Sequence, residues 1–153
     1  MENNKTIRHA VRAVVIDKNE KVAILSANDG EHYKIPGGGI DKCESLTDAL
    51  RREVLEETGC EIETICGIGE QEFESSDSAR IHHSVCYLAK VKGNKGKPNF
   101  DDYEKERKFK LLWVDIDNAI KLLEECKPEY AFNTEIVKRD LKFLYSARNL
   151  IKQ

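Results

Sequence analysis

Three glutamates that lie close together in the chain, Glu53, Glu56 and Glu57, have the spacing at which a helix places side chains on one face. The apolar residues of the same segment fall on the same arc: Leu46, Ala49, Leu50 and Val54. A helix that packs against a protein core turns such an apolar arc inward. The carboxylates are therefore predicted to point toward the buried side of the helix, where acidic side chains are rarely found.

This arrangement is unfavourable for the helix itself, because like charges at these spacings repel and acids near a helix C-terminus oppose the helix dipole. Hard divalent cations would compensate, since they prefer clustered carboxylate oxygens. The alternative is a solvent-exposed charged face that is balanced by Arg51 and Arg52. The residues around the glutamates decide between these interpretations.

The helix is predicted to span residues 45–58, with recognisable signals at both ends. Ser45 is a preferred N-cap residue, and Asp48, three positions later, completes a start that resembles a capping box. Gly59 stands where the left-handed residue after a helix belongs. A short strand and a loop of one proline and three glycines, residues 36–39, precede the helix.

Residues 38–60 as a whole resemble the Nudix box, G-x5-E-x7-R-E-U-x-E-E-x-G-U, in which U is an aliphatic residue. Gly38 and Glu44 fill the first two fixed positions, and the run REVLEETGC fills the others, with Cys60 at the last aliphatic position. The resemblance implies a single Nudix domain over residues 1–153. The implied fold is α/β, an α/β/α sandwich with a mixed β-sheet between helices.

The resemblance also assigns roles to the matching positions. It implies metal ligands among these residues: Gly38 through its carbonyl, Glu44 as a ligand or an indirect support, Glu53, Glu56 and Glu57. Arg52 would orient a glutamate through a charge-assisted hydrogen bond, and Arg52, Glu53 and Glu56 are the candidate catalytic residues. The implied cofactor is Mg²⁺, for which Mn²⁺ would substitute, and an in-line attack of water on phosphorus would follow.

Two further places outside the box are candidates for the same site. Glu104 and Glu106, in a charged run before the late strand, are candidates for an extra metal ligand or base, with plain solvent exposure as the alternative. Asn133 follows Phe132 just before the last helix, a region that resembles the base-reading segment of MutT-like members. Its side-chain amide can both donate to and accept from a base. The alternative for Asn133 is a helix N-cap.

The substrate subclass is inferred partly by elimination. Members that cleave ADP-ribose commonly carry a proline beyond the box, where this chain has Ser75 and Ser76. Dinucleoside-polyphosphate members tend to carry a tyrosine, where this chain has Asp77 and Ser78. We therefore expect a nucleoside triphosphate pyrophosphohydrolase of MutT type. The alternatives are a pyrophosphatase for ADP-ribose, nucleotide sugars or dinucleoside polyphosphates, and a catalytically silent nucleotide-binding module.

Composition narrows the expected partners. The net charge is −3, from 25 basic and 28 acidic residues, so no general affinity for long nucleic acids is expected and the partner is a small nucleotide-like molecule. No apolar run approaches the length of about 20 residues that spans a membrane. The N-terminal residues MENNKTIRHA do not resemble a signal peptide, so a cytoplasmic location is expected. The oligomeric state is left open, with a homodimer among the alternatives.

The remaining elements must position these residues. The hydrophobic pattern predicts strands over 9–17, 21–27, 33–35, 61–68, 71–74, 81–91 and 109–114, and later helices over 115–125 and 134–149. A sheet covered by helices on both faces would bury these apolar stripes. No C-x-x-C pair supports zinc, so the five cysteines are interpreted as free thiols and His82 and His83 as ordinary strand residues.

Overall fold

The computed structural model describes residues 5–75 and 79–152. Ser76, Asp77 and Ser78, which bear on the substrate subclass, lie outside the described residues. The strands are β1 (Thr6–Ile16), β2 (Val22–Ala27), β3 (His32–Lys34), β4 (Gly37–Gly39), β5 (Glu61–Ser75), β6 (Arg80–Lys92) and β7 (Lys110–Val114). The helices are α1 (Leu46–Thr58), α2 (Asp102–Glu106), α3 (Ile116–Glu125) and α4 (Ala131–Ile151).

The strands form one mixed sheet with β1 at its centre. The strand order is β3-β2-β1-β6-β5, with β4 added beside β1 and β7 beside β2. β1 and β6 run parallel along the whole of β1, and the other pairings between the described strands are antiparallel. β1 meets β2 only where Ile16 lies opposite Val22, because β4 occupies the edge of β1 beside residues 10–12. The consecutive strands β1 and β2 are therefore splayed apart.

Both faces of the sheet are covered by helices, as predicted. One apolar cluster joins odd-numbered residues of β1 to α1: Val11, Ala13, Val15, Ala49, Leu50 and Val54. The other cluster joins Val14 of β1 to residues of α3 and α4, among them Ile120, Leu123, Phe143 and Leu144. Because successive side chains of a strand point to opposite faces, the buried run of β1, which is apolar except for Arg12, supplies both clusters. The α/β/α sandwich around a mixed sheet is confirmed.

Helix α1 has the predicted boundaries. The side chain of Ser45 accepts a hydrogen bond from the backbone N–H of Asp48, and Gly59 adopts a left-handed conformation with φ 72°. The loop that follows β6 closes the C-terminal end of α1, since the N–H of Asn99 donates to the carbonyl of Glu56 at 2.7 Å. A β-carbon at Gly59 would lie 2.4 Å from the backbone nitrogen of Lys97, so glycine is also needed for this close approach.

Four sequence-based predictions about elements need correction. The two strands predicted over 61–68 and 71–74 are one long strand, β5, because bulges near Gly67 and Gly69 let its pairing with β6 continue. The charged run contains the short helix α2. The last helix begins at Ala131 rather than at residue 134. Leu46, assigned to the inward arc of α1, is 39% exposed, whereas the other apolar residues of that arc are buried.

The C-terminal helix α4 runs to Ile151 and packs into the same core as α3 through Val137, Phe143 and Leu144. None of the helices in the described part of the chain is long and apolar enough to cross a membrane.

Candidate active site

Glu57 is the most deeply buried of the three helix glutamates. Its side chain is 1% exposed, against 15% for Glu53 and 38% for Glu56. The Oε1 atom of Glu57 accepts a hydrogen bond from the backbone N–H of Gly37 at 2.8 Å, and its Oε2 atom lies 3.8 Å from Nζ of Lys34. The inward direction that helix spacing predicts for this side chain is confirmed.

A second carboxyl group, that of Glu104, meets Glu57. Burial raises the pKa of Glu57 well above its usual range, Lys34 opposes this increase, and a hydrogen bond with the side chain of Glu104 adds to it. Glu104 is itself buried, because its side chain and that of Asp101 cap α2 reciprocally. Two carboxyl groups this close must share a proton or a cation. The solvent-exposed alternative for Glu104 is therefore wrong.

Arg52 connects the helix to the loop before it. Its Nε and Nη2 atoms donate to the two carboxylate oxygens of Glu44 at 2.8 and 2.9 Å, which is a bidentate ion pair. Its Nη1 atom donates to Oε1 of Glu53 at 2.8 Å, and Nη2 also reaches the carbonyl of Gly39 at 3.1 Å. The hydrogen bonds from Arg52 lower the pKa of Glu44 to about 2. Glu44 thus holds Arg52, and Arg52 holds Glu53.

Gly38 leaves the space that Glu53 occupies. A β-carbon at Gly38 would lie 2.5 Å from the carboxyl carbon of Glu53 and 2.5 Å from its Oε1 atom. Real β-carbons do not approach that closely, so any larger residue would displace the carboxylate. The strand β4, which carries Gly38, is held against β1 by backbone pairing, and the contact is therefore rigid on the glycine side.

Glu56 lies at the rim of this arrangement. Its Oε1 atom is 3.8 Å from Nη1 of Arg52. Burial and the negative charge of Glu53 raise the pKa of Glu56 above its usual value. A carboxylate with a raised pKa accepts a proton more readily at neutral pH than an ordinary glutamate does.

The central cavity, of about 450 Å³, is lined by Gly38, Glu53, Glu57 and Glu104 and by several residues that were not predicted, whereas Glu44, Arg52 and Glu56 do not line it. Its acidic lining residues include Glu53, Glu57 and Glu104. Its basic lining residues are Arg8, Arg12, Lys34 and Arg139, and its aromatic ones are His82, Tyr103, Phe109 and Phe132. The basic residues were missed because the net charge of −3 says nothing about local clustering. The available signal was an arginine, Arg12, between the apolar residues Val11 and Ala13 of β1.

Two of these arginines are buried. Arg12 is 8% exposed and Arg139 is 5% exposed. Burial, together with the positive charge of Arg139, lowers the pKa of Arg12 to about 10. Arg139 donates from Nε to Oδ1 of Asp140 at 2.8 Å, and Oδ2 of Asp140 accepts from the backbone N–H of Ile35 at 3.1 Å. This chain of bonds attaches α4 to the loop that leads into β4.

His82 and Phe132 form an aromatic wall of the cavity, and the ring of Phe73 packs against both. The rings of Phe73 and His82 stack with centroids 4.9 Å apart, and Phe132 meets the ring of His82 edge-on at 5.1 Å. His82 lies in a strand, as predicted, yet it also lines the cavity. Phe132 is 38% exposed and presents an apolar ring to the same space.

Not every predicted site residue reaches the cavity. Glu106 is exposed at the end of α2 and does not line it. Asn133 is buried in the first turn of α4 and is absent from the cavity lining among the residues described, whereas Phe132 is present. Because Tyr130 occupies the N-cap position of α4, the N-cap alternative for Asn133 is wrong.

The carboxylates of the cavity suit a divalent cation by their chemistry. Glu53, Glu57 and Glu104 offer only oxygen donors, which magnesium prefers, and a cation would remove the repulsion between Glu57 and Glu104. Within residues 5–75 and 79–152, no three acidic, histidine or cysteine side chains form a ready-made cation cage. Arg52 and Lys34 hold Glu53 and Glu57 as ion-pair partners instead.

Comparisons with known proteins show what this chain is similar to. The family model described as NUDIX domain matches residues 6–136. An RNA pyrophosphohydrolase of Campylobacter jejuni is 32% identical over 124 residues, which cover 68% of this chain and 80% of that protein. The MutT protein from Methanosarcina mazei Go1 superposes with a TM-score of 0.66 at 19% identity, covering 97% of this chain and 99% of that one. The Ap4A hydrolase of C. elegans superposes with a TM-score of 0.64 at 17% identity, covering 95% and 99%. At these identities the two structures show the shared fold alone.

Proposed function

Since this chain belongs to the Nudix family and is a hydrolase of pyrophosphate bonds, we propose that it cleaves a nucleoside triphosphate to a monophosphate and pyrophosphate. The observation that carries the proposal is the composition of the central cavity. Three glutamates and four basic side chains face one space of about 450 Å³, which is suited to a small and highly charged phosphate ester. The expected products follow from attack of water on phosphorus.

We assign the cation as Mg²⁺, with Mn²⁺ as a substitute. Glu53, Glu57 and Glu104 would hold it, with Glu56 at the rim and the carbonyl of Gly38 nearby. Glu44 would act through Arg52 rather than as a ligand, because both of its carboxylate oxygens already accept from that guanidinium. When bound, the cation neutralises phosphate oxygens and makes phosphorus easier to attack.

The side chains of the protein then position the reacting groups and accept the proton. Arg52 fixes the direction of the Glu53 carboxylate, so that a water molecule or ligand beside it is held in one place. Glu53 and Glu56 are the candidates for the general base. The raised pKa of Glu56 and its place at the rim support its acceptance of the proton from the attacking water.

The nucleobase would rest on the aromatic wall. Phe132 presents a partly exposed ring beside His82, and stacking on such rings accepts any base with modest preference. Direct reading of the base by Asn133 stays a prediction.

A second candidate substrate is the 5′-triphosphate end of RNA. It is favoured by the relative from Campylobacter jejuni, which is named as an RNA pyrophosphohydrolase. The end of an RNA chain offers the same three phosphates to the cavity as a free nucleotide. The expectation against RNA depended on the net charge, and the local cluster of basic residues weakens that argument.

The test is hydrolysis of a substrate panel with Mg²⁺ or Mn²⁺, with products identified by mass. The panel contains nucleoside triphosphates, a 5′-triphosphorylated oligoribonucleotide, ADP-ribose and a dinucleoside polyphosphate. We expect triphosphates to give the highest kcat/KM, and Glu53→Gln to lower kcat/KM for every accepted compound by a similar factor of about 100 or more. Preference for ADP-ribose or a dinucleoside polyphosphate would overturn the substrate assignment. No turnover of any compound with either metal would contradict the catalytic proposal itself.

A further inference from the structure

Two buried guanidinium groups in the cavity wall have donors without acceptors. The Nε atom of Arg12 and the Nη2 atom of Arg139 are buried and have no hydrogen-bond partner among the described residues. Both side chains are more than nine-tenths buried, and both line the central cavity. Arg12 projects from the middle of β1 and Arg139 from α4, so two distant segments bring positive charge to the same wall.

Such an arrangement is costly in the absence of a ligand. A buried donor without an acceptor loses its hydration without replacement, and nearly all such groups in proteins are paired. The two charges also repel each other, and Asp140, Glu57 and Glu53 offset this only in part. An apolar residue would pack better at this position of β1, where Val14, on the same face of the strand, is fully buried. The arginines therefore indicate an anion that completes their hydrogen bonds.

We infer that Arg12 and Arg139 together form a subsite for a phosphoryl group outside the cleaved linkage, which makes a chain of three or more phosphates the preferred substrate. This inference rests on the proposed function, since the glutamates are assigned there to the cation and to the water that attacks the cleaved linkage. Guanidinium groups suit the role because their forked donors match phosphate oxygens. A nucleoside diphosphate joined to a sugar has no further phosphate and leaves both donors unpaired.

The triphosphate group can come from a free nucleotide or from the 5′ end of an RNA chain, and the subsite contacts the group common to both. The two sources differ only in the group attached to the 3′ oxygen of the ribose. Arg8 also lines the cavity and is exposed, beside the place where a β-carbon of Gly39 would lie, so it belongs to the open side of the cavity rather than to the buried pair.

The experiment compares binding of two nucleotides that cannot be cleaved. One is a nucleoside triphosphate with a methylene group between its α and β phosphorus atoms, and the other is the corresponding diphosphate, both with saturating Mg²⁺. We expect the wild-type protein to bind the triphosphate more tightly, and Arg12→Gln and Arg139→Gln to weaken triphosphate binding by about 10- to 100-fold while diphosphate binding changes little. Arg51→Gln removes an exposed arginine of α1 and is the charge-matched control.

The outcomes separate this inference from the proposed function. Equal weakening of both nucleotides, or of neither, in the two arginine variants would overturn the subsite even if the enzyme hydrolyses triphosphates. Loss of the preference in both variants, but not in Arg51→Gln, supports the subsite even if no turnover is found. If Arg12→Gln does not fold, the same comparison is made with Arg12→Lys and Arg139→Gln. Lysine keeps the positive charge but lacks the forked donors of arginine, so Arg12→Lys should also weaken triphosphate binding selectively. A 5′-triphosphorylated dinucleotide with the same methylene bridge distinguishes the two sources. Tighter binding than that of the nucleotide would show that the second base is contacted and would indicate an RNA end, and equal binding would indicate a free nucleotide.

Discussion

Glu57 combines deep burial with close contact to another acid. Its carboxyl group accepts from the N–H of Gly37 and shares a hydrogen bond with Glu104, in a place where burial raises its pKa. The metal-free fold therefore favours the protonated form of this glutamate more than the unfolded chain does. A residue that costs stability until a ligand arrives is typical of functional sites.

Replacing Glu57 should separate stability from activity. In Glu57→Gln, the amide still accepts from Gly37 and donates to Glu104 without a shared proton. We expect the metal-free stability to stay level or rise by up to about 1 kcal/mol, while turnover falls by about 100-fold or more. Urea unfolding in EDTA measures the metal-free stability, and steady-state kinetics measure the turnover. Glu106→Gln, at an exposed acid, is the control, and a clearly lower stability of Glu57→Gln would show a structural ion pair instead.

The same carboxyl group predicts a pH dependence. The folded protein binds the proton of Glu57 more tightly than the unfolded chain does, because its pKa is raised in the fold. This contribution to stability is complete below the ordinary glutamate pKa of about 4.3, and it is lost as pH rises through the raised pKa. Unfolding of the metal-free protein across this range should show a decline with pH that is absent in Glu57→Gln. Parallel curves for the two proteins would contradict it.

The aromatic wall should contribute to the binding of every base. Phe132→Ala removes a stacking surface, so kcat/KM should fall for every base by a factor equivalent to about 1–3 kcal/mol, with only small changes in the ratios among bases. Glu53→Gln should lower kcat/KM for all substrates by a similar factor, since it acts on the phosphate chemistry. If the amide of Asn133 reads the base, Asn133→Ala should instead change the kcat/KM ratios among bases, and such ratios cancel any loss of folded protein. An unchanged kcat/KM of Phe132→Ala for all bases would place the base elsewhere.

The contact between β4 and α1 depends on the missing side chain of Gly38. Strand pairing holds β4 in place, and helix capping at Ser45 and Gly59 sets the length of α1. The carboxylate of Glu53 then occupies the volume that a β-carbon of Gly38 would need. The elements therefore position the site through a close approach that no larger residue permits.

Gly38→Ala should impair catalysis more than folding. Its β-carbon would lie 2.5 Å from the carboxyl carbon of Glu53, so that the side chain must swing away from Arg52. We expect turnover to fall by roughly 100-fold, because small displacements of a catalytic group have effects of that order. The matched control is Gly67→Ala, whose β-carbon would make an ordinary 3.8 Å contact with Tyr87. Steady-state kinetics measure the loss of turnover, and melting temperatures measure the effect on folding. Equal turnover of Gly38→Ala and Gly67→Ala would refute the steric argument.

The protein as a unit should need a cation for turnover but not for folding. Its apolar clusters on both faces of the sheet involve no metal, and the site carboxylates already have partners in Arg52 and Lys34. EDTA should abolish hydrolysis and leave circular dichroism unchanged, and Mg²⁺ or Mn²⁺ should restore activity. Added metal should also raise the melting temperature of the wild type but not that of Glu57→Gln. Activity that survives thorough chelation would contradict the metal requirement.

Charge illustrates the difference between composition and arrangement. The chain has a net charge of −3, and this argued for small partners held with the help of a cation. The fold nevertheless gathers Arg8, Arg12, Lys34 and Arg139 in one cavity. Net charge is a sum over the surface, whereas a phosphate group responds to the few charges around it.

Local spacing was enough to predict helix α1 and the inward direction of Glu53 and Glu57, whereas Glu56 lies at the rim. A helix repeats every 3.6 residues whatever surrounds it, and Ser45 and Gly59 act on bonds within a few positions of themselves. The box from Gly38 to Cys60 lies within one such stretch, so its pattern could be recognised from the residues alone. Family and fold class followed from that recognition.

Contacts between distant segments required the tertiary structure. Glu104 meets Glu57, and Arg139 approaches Arg12 from α4, because the strand order and the packing of helices set these distances. The start of α4 at Ala131 similarly leaves Phe132, rather than Asn133, in the cavity wall. A shift of one residue at a helix start turns a side chain by about 100°, and such boundaries are the least certain part of a sequence-based prediction. The meeting of Arg12 and Arg139 in the cavity wall therefore depends on packing that no local pattern encodes.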